Sequence, residues 1–141
     1  MEKTPRFTLT IGVIPGYFHE NKPPHWKGEW GGHPEETPDI TVARLWDHLI
    51  KSTMDDHGSV GYVSGVVTQG LAVYAREHGC PAAGELVVTI SGVANPKFIP
   101  PGLVNEWKAA VAQLAGELAT LLQQKTAYLM FDEVEFTYLQ F

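Results

Sequence analysis

His19, His25 and His33 fall within fifteen residues of one another and make up half of the six histidines in the chain. Glu20, Glu29, Glu35 and Glu36 stand among them, with Trp26 and Trp30. Imidazoles beside carboxylates and apolar rings can take and give protons near neutral pH, because the apolar wall shifts their pKa values. The same three imidazoles plus one carboxylate could instead close around zinc, iron, nickel or copper. Their spacing follows no established ligand pattern. A third reading leaves the histidines solvated while the aromatic side chains pack on a sheet. A divalent metal, if one is bound, is expected at His19, His25 and His33; no other cofactor is expected.

Two further clusters could carry chemistry. Arg76, Glu77, His78 and Cys80 lie in an expected turn, where arginine could hold a carboxylate or phosphate and His78 could activate a thiolate. The plainer account is a solvated turn with one small buried cysteine. Asp132, Glu133 and Glu135 interrupt an apolar strand, and burial there would raise a carboxyl pKa towards neutrality. Charges of this kind also mark strand ends and protect edges. Asp132 joins the three loop histidines as a catalytic candidate. Tyr17, Phe18, Trp26, Trp30, Tyr74 and Arg76 are the expected ligand contacts. No phosphate loop, dinucleotide fingerprint, His-Glu-x-x-His or nucleophile elbow occurs.

These residues need elements to position them. Phe7, Leu9, Ile11 and Val13 alternate with Thr8, Thr10 and Gly12, the period of a strand with one apolar face. Residues 16–38 then lose all periodicity and are dense in Gly and Pro, so a long loop is expected after the first strand. Val42, Leu45, Trp46, Leu49 and Ile50 predict a helix capped by Thr41 or Asp39 and closed by Gly58. Residues 60–76 suit a long strand bent near Gly65 or Gly70, although their Val, Leu and Tyr also fit a helical stripe. Glu85-Leu-Val-Val-Thr-Ile-Ser predicts the next strand. Pro100-Pro101 opens a second helix with Leu103, Trp107, Val111, Leu114 and Leu118 on one face. The last stretch, from Thr126, predicts a central strand that bulges at Asp132-Glu133.

The order strand, helix, strand, strand, helix, strand is that of the ferredoxin-like split βαβ arrangement, an α+β domain spanning 1–141 with two helices on one face of an antiparallel sheet. Apolar residues on both sides of the last strand predict that the other face is buried in a homo-oligomer, a dimer or trimer.

Composition narrows the function. The net charge is −6 and no basic stripe exists, which argues against nucleic acid and anionic membranes. One cysteine excludes an intramolecular disulfide. The polar first residues and the lack of any run of about 20 apolar residues lead to an expected cytoplasmic location. The function that fits is a small-molecule enzyme using loop histidines and carboxylates for acid–base chemistry, an isomerase, lyase or hydrolase, in a pocket between sheet and loop. The alternative is a small-ligand-binding or assembly protein of the same fold.

Overall fold

The computed structural model describes residues 2–14, 36–78, 80 and 84–141. Six main elements follow in order: β1 (Glu2–Gly12), α1 (Pro38–His57), β2 (Val66–Ala72), β3 (Glu85–Val93), α2 (Val104–Leu121) and β4 (Ala127–Phe136). Short 3-10 turns occupy Gly58–Gly61, Arg76–His78 and Pro101–Leu103. The four strands form one sheet in the order β2-β3-β1-β4, with every neighbouring pair antiparallel. This is the ferredoxin-like order the pattern predicts.

Alternation in β1 decides which face is which. Phe7, Leu9, Ile11 and the following Val13 are buried against Val42 and Trp46 of α1 and Trp107, Val111, Leu114 and Leu118 of α2. Trp107 sits at the centre, with its ring edge-on to Phe7 at 5.9 Å and to Phe131 at 6.1 Å. The buried Trp46 indole donates to the Val63 carbonyl at 2.9 Å, so the polar end of that side chain is satisfied. Thr8, Thr10 and Gly12 point to the opposite face. Register places Thr89 and Tyr128 on either side of Thr10, and Val87 beside Gly12.

Several elements differ from the sequence expectation. The Thr41 amide donates to the Thr37 carbonyl at 3.1 Å, so α1 begins at Pro38 and neither Thr41 nor Asp39 is its cap. The Thr41 side chain is buried and its hydroxyl donates to Glu36. Gly58 closes the helix as expected, at a φ of 60° that favours glycine. The 60–76 segment is strand only over Val66–Ala72, with a 3-10 turn at Gly58–Gly61 before it. Pro101–Leu103 forms a 3-10 turn, and α2 starts at Val104. β4 is an edge strand, paired without a bulge from Ala127 to Phe136 against β1 alone. Its register is continuous because Arg6 stands opposite Asp132 and accommodates the charge within the ladder.

Candidate functional site

A cleft of about 540 Å³ opens on the helix-free face, where β1 ends and β3 and β4 begin. Thr10 and Gly12 form its floor from β1. Tyr74 and His78 reach it from the segment after β2, Glu85 from the start of β3, and Gln124 and Tyr128 from the stretch joining α2 to β4. Antiparallel pairing brings these sequence-distant positions to one end of the sheet. Gly12 is opposite Val87, two residues after Glu85, and Ile11 is opposite Ala127.

The polar centre of the cleft is Tyr74 with Glu85. The Tyr74 hydroxyl donates to Glu85 Oε1 at 3.1 Å, and the Tyr74 amide donates to Cys80 Sγ at 3.4 Å. A carboxylate held by a phenol in this way keeps its other oxygen directed to one place. That place is above Gly12: a Cβ there would collide with Glu85 Oε2 and lie 2.8 Å from Gln124 Oε1. Glycine at position 12 therefore admits the two acceptors. Thr10 and Thr89 hydroxyls lie 3.3 Å apart on the same face and extend the polar floor.

A second cavity, of about 470 Å³, lies at the other end of the sheet. Tyr62, Phe98, Trp107, Phe136 and Tyr138 make it aromatic, and no Asp, Glu, Lys, Arg or His lines it among the described residues. Of these two cavities among the described residues, the first combines an oriented carboxylate with hydroxyl and amide groups, and so it is the candidate site.

Of the residues that sequence reasoning singled out, Tyr74 lines this cleft. His78 lines it too, and Cys80 supports Tyr74 from behind; it serves as an acceptor for that backbone amide. His19, His25, His33, Tyr17, Phe18, Trp26 and Trp30 lie outside the described residues, and so does the side chain of Arg76. Among the described residues no group of three His, Cys, Asp or Glu could hold a metal ion. Glu85, Gln124 and Gly12 are the residues sequence reasoning missed. Glu85 read as the first residue of a strand, and no short motif joins it to Gly12 and Gln124.

Asp132 is not among the lining residues of either cavity. It forms a two-point pair with Arg6 of β1, Nε to Oδ1 at 3.0 Å and Nη2 to Oδ2 at 2.5 Å, and both side chains are largely exposed. The hydrogen bond from Arg6, with its charge, holds the Asp132 carboxyl below its ordinary value and keeps Arg6 more firmly protonated. A lowered carboxyl pKa contributes stability at pH above the unfolded value of about 3.8, and the contribution is lost as pH falls through the folded value. Asp132→Asn is therefore expected to lower Tm slightly at pH 7, with the gap from wild type closing below about pH 4. Melting curves across pH 2–7 check this; a gap that persists at pH 2 would contradict it.

A family model described as SAM lyase matches residues 2–140. No curated protein matches the chain. Among solved structures, a phage SAM lyase in complex with S-methyl-5'-thioadenosine is similar at a TM-score of 0.53 and 15% identity, over 92% of this chain and 81% of that one. A phage SAM lyase in the apo state is similar at a TM-score of 0.49 and 14% identity, over 93% and 81%. At 15% identity the first likeness shows a shared fold.

Proposed function

The chain belongs to the SAM lyase family, and on that premise we propose that it cleaves S-adenosylmethionine and releases S-methyl-5'-thioadenosine from the cleft at Tyr74 and Glu85. The observation that carries this reading is the oriented carboxylate over Gly12 on the floor of a cavity large enough for a nucleoside. The neighbour seen with S-methyl-5'-thioadenosine supports the choice of ligand.

The chemistry sets what the residues must do. The bond from sulfur to the amino-acid arm breaks, its electron pair stays on sulfur, and the sulfonium becomes a neutral thioether. Such a leaving group needs no proton from an acid. The carbon fragment can close by attack of its own carboxylate, which needs no base from the protein. Should it instead lose a carbon-bound proton, a base must take it, and the sequence offers His19, His25 and His33 as candidates in addition to Glu85. Asp132, paired with Arg6 away from the cleft, is the weaker catalytic candidate.

A carboxylate placed against the sulfonium would stabilise a charge that the reaction removes, holding the ground state more than the transition state. Glu85 is therefore assigned to hydrogen-bond donors of the nucleoside. Tyr74 orients it, and Tyr74→Phe is expected to raise KM several-fold through the lost hydrogen bond, worth about 1 kcal/mol. Steady-state kinetics checks this; an unchanged KM would separate Tyr74 from the site. The reading as a whole is tested by incubating the purified protein with S-adenosylmethionine and following products by liquid chromatography. S-Methyl-5'-thioadenosine should accumulate as substrate disappears. Stable substrate, or the demethylated thioether as product, would overturn it.

We propose in addition that the chain works as a homo-oligomer, a dimer or trimer. Tyr128 and Met130 on the helix-free face are 76% and 60% exposed, and Leu139 and Phe141 lie open at the C-terminal end. Such apolar surface is what subunit contacts cover. Native mass spectrometry should give a multiple of the 15.5 kDa chain, and a monomer at micromolar concentration would count against it.

A further inference from the structure

The aromatic cavity at the other end of the sheet has walls that the fold fixes one by one. Tyr62 and Ser64 belong to the stretch leading into β2, which the Trp46 indole holds through the Val63 carbonyl. Gly92 of β3 lets that stretch cross close by. A Cβ at position 92 would overlap the Ser64 carbonyl oxygen and lie 2.9 Å from Phe7 Cε1. The facing wall is a turn at Asn95, whose carbonyl accepts from the amides of Phe98 at 2.9 Å and Ile99 at 2.8 Å. Its side-chain Oδ1 accepts from the Lys97 amide at 3.0 Å. The turn is tied to β1, because the Ala94 amide donates to the Pro5 carbonyl at 3.0 Å and the Thr4 hydroxyl donates to the Ala94 carbonyl. Trp107, almost wholly buried, forms the inner surface, and Phe136 and Tyr138 line it from the end of β4 and beyond.

At about 470 Å³ the cavity is of the size that takes a small-molecule ligand. Phe98 and Tyr138 are 59% and 49% exposed, so large rings stand open at its mouth. Lys97 does not line the cavity but stands over these two rings, with Nζ 5.8 Å from the centre of Phe98 and 4.4 Å from that of Tyr138. The ring faces attract the ammonium and keep it at the mouth. No carboxylate of a described residue pairs with it. An apolar interior with an ammonium at its rim is complementary to an apolar body that carries an anion.

We propose that this cavity is a second ligand site, separate from the cleft at Tyr74, for a planar aromatic molecule bearing a carboxylate or sulfonate. The rings enter among Tyr62, Phe98 and Trp107, and the anion meets Lys97 Nζ. Stacking and edge contacts with the lining rings supply the apolar part, and the ammonium selects for the charge. A nucleoside suits the cavity less well. Its hydroxyls and ring nitrogens need partners when they leave water. Polar side chains here are Ser64, Ser91 and Asn95, and Asn95 already uses its Oδ1 within its own turn.

Fluorescence titration of the full chain tests the proposal with two dyes. 1-Anilinonaphthalene-8-sulfonate is an aromatic anion, and N-phenyl-1-naphthylamine has the same rings without the sulfonate. Wild type is expected to bind the sulfonate saturably, one per chain, and excess S-methyl-5'-thioadenosine should not displace it. Lys97→Met is expected to weaken the sulfonate about five- to tenfold and to leave the neutral dye within about twofold. Phe98→Ala should weaken both dyes. Both variants change exposed side chains, so the fold is kept. Absence of saturable sulfonate binding to wild type would overturn the proposal before any variant is made. Displacement by the nucleoside would put the dye in the cleft, and equal losses of the two dyes in Lys97→Met would remove the anion contact. Either result overturns the proposal and leaves the reading of the cleft untouched.

Discussion

Glu85→Gln should raise KM for S-adenosylmethionine by about ten- to a hundredfold and leave kcat within about threefold. The substitution keeps the shape of the side chain and one carbonyl oxygen, but removes the charge that strengthens a hydrogen bond to a ligand hydroxyl. Tyr74 can still donate to that oxygen. A contact made equally in ground and transition states affects KM alone. A general base behaves otherwise: its loss lowers kcat by about 10²–10⁴. Initial rates over a range of substrate concentrations separate the two. A collapse of kcat with unchanged KM would make Glu85 a proton acceptor rather than a binding residue.

Trp107→Ala should cost about 3–5 kcal/mol of stability, the usual loss for deleting a large buried ring. Trp107 is 1% exposed and joins Phe7 of β1 to Phe131 of β4, so it links α2 to the sheet on two strands. Its ring neighbours belong to two different strands, which are held in register by their pairing and cannot close the space left behind. For a domain of this size the loss corresponds to about 10–20 °C in Tm. Leu121→Ala, on the same helix but 40% exposed, should lose far less. Thermal unfolding followed by circular dichroism measures both. Similar Tm values for the two variants would mean that the core does not centre on Trp107.

The architecture was legible where one face of an element is apolar and the other is not. β1 showed it by strict alternation, and α2 by Trp107, Val111, Leu114 and Leu118 at three and four residues. β4 was harder. Tyr128 and Met130 are as apolar as Leu129 and Phe131, so the pattern implied cover on both faces, yet the strand lies at the edge of the sheet with Tyr128 and Met130 open. Apolar residues exposed on an edge strand look the same in sequence as apolar residues in a core. Asp132 misled for a related reason: a carboxylate in an apolar strand suggests a perturbed site, but Arg6 stands opposite it in a register that only strand pairing reveals.

The site itself was less legible than the fold. Tyr74 could be picked out as an aromatic residue near a turn. Gly12, Glu85 and Gln124 are separated by 73 and 39 residues along the chain, and each has an ordinary local role: a strand position, a strand start and a helix end. Their meeting depends on β1 lying between β3 and β4, and on the left-handed turn at Gln123. A single sequence carries no local mark of such a convergence. The cluster of histidines drew attention by density, whereas the cleft is built from residues that are common everywhere.

The central claim is that the nucleoside occupies the cleft over Gly12 and leaves the aromatic cavity at the other end of the sheet empty. Titrating ¹⁵N-labelled protein with S-methyl-5'-thioadenosine while recording amide spectra tests it most directly. The largest shifts should fall on Gly12, Tyr74, Glu85, Val87 and Gln124, with little change at Ser64, Val93 and Phe98. Shifts confined to Ser64, Val93 and Phe98 would place the ligand in the other cavity and contradict the assignment of Glu85.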